Sequence, residues 1–313
     1  MLRSNTSKNT RGVRLFFLQL IQSKYLVLMM LPGLIYYIVF HYAPMYGLLM
    51  AFKNFKGGTS IWAAPWVGFS WFQEIFTSYY FPRLLKNTLM ISVYNLVFSF
   101  PIPIVFALML HEMRSKPFKR IVQTVSYLPH FISVVVVVGM MQTILSTTDG
   151  VVNNLIRQNG GNAVNFFGTS RWFRPLYIGS GIWQSFGWNS IIYLAALSTA
   201  DPELYEAARM DGANRWQQTL HVSLPCILPT MIILLIMQLG RTMSVGYEKI
   251  ILMYTPSTYE VADVISTYVY RRGIVGGQFS FASAMGLFNS VINMILLVSF
   301  NYMSRRLSEI SLW

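Results

Sequence analysis

The chain has 313 residues, of which 54% are hydrophobic and 11% charged, with a formal net charge of +13 and a mean hydropathy of +0.46. That balance lies outside the range of soluble domains and reads as a polytopic membrane protein. The basic excess is scattered, with no zinc-ligand pattern and no basic helix followed by heptads, so it does not mark a nucleic-acid binder. The lone cysteine, Cys226, excludes an internal disulfide and any multi-cysteine metal site.

In chain order, Arg3, Lys8, Arg11, Arg14 and Lys24 precede the first apolar run. Residues 13–23 fit either an amphipathic helix on the membrane surface or a frayed extension of the first span. A cleaved signal peptide fits poorly, because the run from Tyr25 is long, bulky and lacks a small-residue cleavage site. Crossing the hydrocarbon core takes roughly 20 apolar residues. Six runs qualify: 25–51, 85–113, 121–145, 175–199, 225–245 and 281–303. The expected fold is therefore all-α, a polytopic membrane protein of six transmembrane helices. Pro101 and Pro103 are expected to kink the second run. The third is the cleanest, unbroken from Val134 to Val138, and the fourth is the most polar, with Gln184, Ser185, Asn189 and Ser190 near its middle.

Short loops set the orientation. Arg114, Lys116, Lys119 and Arg120 crowd the turn after the second run, and Arg305 and Arg306 follow the sixth. Basic residues concentrate on the inner side, so both termini are expected to be cytoplasmic. The aromatic residues of the outer segments, Trp62, Trp66, Trp71 and Trp172 among them, suit an interfacial belt or an external partner.

A polar island at 201–225 separates the fourth and fifth runs. Asp201 is placed to cap a short helix with Pro202 at its first position. Gly212 is placed to end that helix with a left-handed residue. Asn214 and Gln217 have capping-box spacing for a second helix. Leu204, Ala207 and Ala208 share a face of the first helix. Glu206-Ala-Ala, three residues, Gly212, nine residues, Val222, one residue and Leu224-Pro225 together resemble the EAA loop of ATP-binding-cassette (ABC) import permeases. Asn87-Thr-Leu89 is similar to the opening of that family's permease core. Tyr127-Leu-Pro129, Gly150-Val-Val-Asn153, Ile182 to Trp188 and Leu194-Ala-Ala-Leu197 are similar to its sugar-importer branch. Leu31-Pro-Gly-Leu-Ile-Tyr36 and His41-Tyr-Ala-Pro-Met-Tyr-Gly47 resemble the oligosaccharide and polysaccharide subgroup.

The resemblance implies a type I ABC importer permease-like fold with a cytoplasmic helix–Gly–helix coupling loop. It implies residues 1–24 as a cytoplasmic segment, 25–86 as the first span and outer segment, 87–305 as the permease core and 306–313 as a cytoplasmic tail. It assigns Glu206, Ala207, Ala208, Asp211 and Gly212 to the contact with an ATPase. The implied partners are a second permease subunit, most simply a different chain, two ATP-binding subunits, an extracytoplasmic solute-binding protein and membrane lipid, with no nucleic acid. The chain has no phosphate-binding Gly-x-x-x-x-Gly-Lys-Ser/Thr loop, so ATP and Mg belong to the partner ATPase and this chain is expected to bind no cofactor or metal and to carry no catalytic residue.

Sugars need amides, hydroxyls and aromatic platforms in a concave path. The fourth run offers Trp183, Gln184, Trp188 and Asn189, the fifth Gln238 and Arg241, and the sixth Asn289, Ser290 and Asn293. Each amide taken singly fits inter-helix packing at least as well. Arg241 stands out because intramembrane charge is costly, and Glu248, seven residues on, is its candidate charge partner. His130 reads as a hydrogen-bonded structural residue, and Asp149 and Asp263 as solvated loop carboxylates. Two competing readings remain: an ABC permease for a peptide or amino acid, and an ion-coupled secondary transporter. The second expects mid-span Asp or Glu, and none lies mid-span, the one acid in the six runs being Glu112 at the end of the second.

Overall fold

The computed structural model describes residues 23–308 and 310–312. The expected segment 1–24 and its surface helix therefore lie almost wholly outside the described residues. Among those residues the architecture is helical throughout, and pairing of the extended type is limited to one isolated bridge, Lys53 to Trp66.

Helix α1 (Lys24–Phe52) is apolar all round and none of its most apolar window is buried. Only its last turns, from Tyr46, lie against the C-terminal helix α12 (Phe279–Ser308). A short helix α2 (Ser70–Thr77) leads to α3 (Phe81–Glu112), which is continuous. In α3 a π-helical stretch at Asn95–Ser99 sits directly ahead of Pro101. A proline cannot donate to the carbonyl four residues back, and the wider turn absorbs that misfit.

The third apolar run departs from expectation. Helix α4 (Lys116–Phe131) and helix α5 (Val134–Ile144) meet at 97°. Ile132 is extended and Ser133 caps α5 through a bond from the Val136 amide at 3.4 Å. The serine offers the backbone a fresh helix start at the point where Pro129 has interrupted the ladder behind it. With 11 residues, α5 spans about 16 Å, half the hydrocarbon thickness.

Helix α6 (Val151–Gln158) precedes α7 (Ser170–Ser198), whose 29 residues span about 43 Å, ample for a crossing. Its polar middle keeps it out of the strongly apolar class. Four helices are long and apolar enough to cross, or five with the bent pair. The arm helix α8 (Pro202–Met210) follows, and then α9 (Arg215–Leu239). The second arm helix is thus not separate from the fifth run. It passes through a π-helical stretch at Thr219–Ser223, ahead of Pro225, into the span itself. Helix α10 (Tyr247–Met253) and helix α11 (Ile265–Val269) complete the order before α12.

At most 22% of any apolar window is buried. The core is three modest clusters. One joins Ile91, Phe173, Ile178 and Ile250, another Leu84, Met243, Ile265 and Phe281, and the third Ile104, Leu197 and Ile227. Apolar surface that faces outward in this amount has lipid or a neighbouring subunit as its complement.

Candidate functional site

A cavity of about 450 Å3 opens between α3, α7 and α9. Helix α3 supplies Ser92, Asn95 and Ser99, α7 supplies Tyr177, Asn189 and Tyr193, and α9 supplies Gln238. Arg241, Thr242 and Ser244 reach it from the turn that follows α9. Three of the nine sequence-predicted pathway residues, Asn189, Gln238 and Arg241, thus meet in one place. Ser92, Asn95 and Ser99 were missed. Their spacing of three and then four residues puts them on one face of an otherwise apolar helix, and that stripe was the available signal.

The turn carrying Arg241 is held from two sides. Asn293 accepts from the Met243 amide at 2.9 Å and donates to the Ser244 hydroxyl at 2.8 Å. The Ser92 hydroxyl donates to the Thr242 carbonyl. Asn293 therefore fixes the backbone beside the cavity. Because α9 ends at Leu239, helical spacing does not carry on to Glu248. Among the described residues no ion pair joins it to Arg241, which corrects the sequence pairing.

The remaining predicted residues sit elsewhere. Gln184 donates to the Ile132 carbonyl at 2.7 Å, answering the break between α4 and α5 where an unpaired carbonyl in lipid is expensive. Trp188 stacks on His130 with ring centroids 4.5 Å apart, so the histidine is held by ring stacking rather than by the expected hydrogen bond. Trp183 is partly exposed. Ser290 bonds back to the Gly286 carbonyl at 2.9 Å. The buried Asn289 Oδ1 has no hydrogen-bond partner among the described residues. Helices α4 and α7 touch at Gly187, where an added Cβ would clash with the Ser126 carbonyl oxygen.

Asp263 corrects another expectation. It is fully buried, accepting from Arg271 at 2.7 and 3.3 Å and from the Thr267 hydroxyl at 2.8 Å. Arg83 lies 3.9 Å away. The Asp263 carbonyl accepts from Asn87, whose oxygen accepts from Arg174. This knot ties α3, α7 and the 254–278 segment together. Burial opposes the Arg271 charge, but hydrogen bonding to Asp263 and its field prevail and raise the guanidinium pKa. Nearby, Lys249 donates to the Tyr177 carbonyl at 2.9 Å, and burial lowers its pKa to about 8. Asp149 is exposed as expected.

The arm forms as its caps foretell. Asp201 accepts from the Glu203 amide at 2.9 Å. Asn214 and Gln217 exchange both capping-box bonds at 2.8 and 2.9 Å, and Gly212 has φ +80°. Leu204, Met210 and Trp216 are 54%, 89% and 70% exposed. Glu206, Ala207, Asp211 and Gly212 are also exposed, and Ala208 is half-buried. A cleft of about 1010 Å3, lined by Glu112, Arg114, Glu206 and Arg209, adjoins it.

Among the described residues the chain is helical, with several helices apolar enough to cross a membrane, a polar cavity between them and an exposed helical arm, an architecture that fits a membrane transport component. The chain belongs to the family of binding-protein-dependent transport system inner membrane components, whose profile spans residues 99–309. It is 44% identical over 292 residues to the polygalacturonan/rhamnogalacturonan transport system permease protein YteP of Bacillus subtilis, covering 93% of this chain and 91% of that one. It is 41% identical to protein LplB of the same organism, covering 92% and 91%. Among solved structures it matches a bacterial ABC transporter involved in import of the acidic polysaccharide alginate. The TM-score is 0.87 and the identity 46%, over 94% of this chain and 99% of that one. The alginate transporter in complex with an alginate pentasaccharide-bound periplasmic protein matches with TM-score 0.86 and 45% identity, over 94% and 98%.

Proposed function

We propose that this chain is one of two permease subunits of an ATP-driven importer for an oligosaccharide released from a polysaccharide. The observation that carries the reading is the cavity in which Asn189, Gln238 and Arg241 converge, in a chain of this family. The cargo class draws support from the saccharide names of its relatives. The second permease is a different chain, two ATP-binding subunits hold ATP and Mg, and an extracytoplasmic binding protein delivers the solute. Six crossings, counting α7 and the bent α4–α5 pair, put both termini and the 201–225 arm inside the cell.

In this reading Glu206, Ala207, Ala208, Asp211 and Gly212 meet the ATPase. The exposed Leu204, Met210 and Trp216 supply apolar contact area for that docking. Open space surrounds Gly212, so Gly212→Val acts through backbone strain at positive φ, about 1–2 kcal/mol. Ala207→Trp acts by holding the ATPase surface away. In the reconstituted complex both variants are expected to retain assembly and lose substrate-stimulated ATP hydrolysis and uptake together. Full coupled activity in both refutes the arm as the coupling element.

A further inference from the structure

We infer that Arg241 is the residue with which the α3–α7–α9 cavity binds a carboxylate of its cargo, which makes the cargo an oligosaccharide containing uronic acids. The inference rests on the pathway reading above and narrows it.

The cavity carries more charge than a neutral sugar requires. Asn95, Asn189, Gln238 and Tyr193 already line it, and amides and hydroxyls serve neutral hydroxyls. Arg241 adds a guanidinium, a group expensive at membrane depth unless it faces water or a partner. Its lining contains no Asp or Glu. Among the described residues no ion pair reaches Arg241, and Glu248 pairs with nothing.

Two other tasks for the guanidinium are also closed. An arginine at a helix C-terminus often serves the unpaired carbonyls there. Three of the last four of α9 are taken, Ile236 by the Gly240 amide, Gln238 by the Arg241 amide, and Leu239 by the Thr242 amide and hydroxyl, and among the described residues no side-chain bond from Arg241 reaches the fourth, on Met237. Outward snorkelling is opposed by the grip of Asn293 and Ser92 on the turn, which keeps Arg241 at the cavity wall. A planar fork of donors without a protein acceptor matches a carboxylate with two oxygens.

Positive charge continues beyond the cavity. Lys249 stands behind Tyr177, its Nζ 4.9 Å from the ring centroid, with no carboxylate partner among the described residues. Arg83 and Arg271 share the single carboxylate of Asp263. Arg174 is met by the neutral Asn87. Such a field concentrates anions along the approach.

The test uses the complete transporter with trigalacturonate and its fully methyl-esterified form, which keeps the sugar and removes the charge. Binding is measured on the membrane assembly without the binding protein, so that protein's own selectivity does not enter. Uptake is measured in proteoliposomes with it. Arg241→Gln is expected to weaken trigalacturonate binding about ten- to a hundredfold and leave the ester unchanged. Arg241→Lys, which keeps the charge and loses the fork, is expected to fall between wild type and Arg241→Gln for trigalacturonate. Unchanged trigalacturonate binding in Arg241→Gln overturns the inference, as does an equal fall for both forms or equal wild-type affinity for both. Wild-type import of neutral oligosaccharides alone overturns the uronate assignment and leaves the permease reading standing. Import of no saccharide at all defeats that reading itself.

Discussion

The buried carboxylate of Asp263 provides a quantitative test of the structure. Asp263→Asn keeps the shape of the side chain and removes its charge. The amide can still accept from Thr267, but it cannot receive both Arg271 donors that now lie at 2.7 and 3.3 Å. Removing one partner of a buried pair costs about 3–5 kcal/mol when the orphaned charge is fully buried. The Arg271 side chain is 33% exposed and that of Arg83 34%, so water recovers part of their solvation. A loss of roughly 2–3 kcal/mol follows. For a chain of this size each kcal/mol moves the midpoint by about 2–4 °C, which puts the expected fall at roughly 4–12 °C. The assay is thermal unfolding of the purified assembly followed by loss of its monodisperse peak. Asp149→Asn, at an exposed carboxylate, serves as the control and is expected to stay within about 0.5 kcal/mol of wild type. Adding Arg271→Gln to Asp263→Asn is expected to recover part of the loss by removing one orphaned charge. Equal midpoints for Asp263→Asn and Asp149→Asn refute the buried counter-ion.

Gly187→Ala places a methyl against the Ser126 carbonyl and is expected to destabilise by about 1–3 kcal/mol. Gly179→Ala in the same helix meets nothing within 4 Å and is expected to be neutral or slightly stabilising; thermal unfolding of the pair compares them directly. Burial lowers Lys249 from its ordinary 10.5 to about 8. Between those values the unfolded chain binds more protons than the folded one, so stability attributable to this group rises with pH. The difference in midpoint between wild type and Lys249→Met is expected to climb in favour of wild type from about pH 8 to pH 10, and a flat difference shows that the amine is not buried. In a Cys226→Ser background, cysteine at the exposed Asn159 is expected to label from outside and at the exposed Ser115 only from inside; the reverse pattern inverts the topology.

Local chemistry determined what was legible in the sequence. The arm is an example: Asp201, Gly212, Asn214 and Gln217 act on backbone groups two or three residues away, so their spacing alone specified two helices and a left-handed joint. The positions of the apolar runs were legible for the same reason, since a helix satisfies its own backbone and exposes only its side chains to lipid. What each polar side chain faces was not local. Asn293 and Asn189 are both amides in apolar helices, yet one holds a turn and the other lines the cavity. Which task falls to which depends on the neighbouring helices. Asp263 looked solvated because its loop is polar, and only the approach of Arg271, Arg83 and Asn87 buries it. The 97° turn at Ile132 was hidden by the run of valines after it, because hydropathy does not record direction. There the tertiary structure decided the outcome: Ser133 restarts the helix, and Gln184, 52 residues away, supplies the donor that makes the break affordable in a membrane.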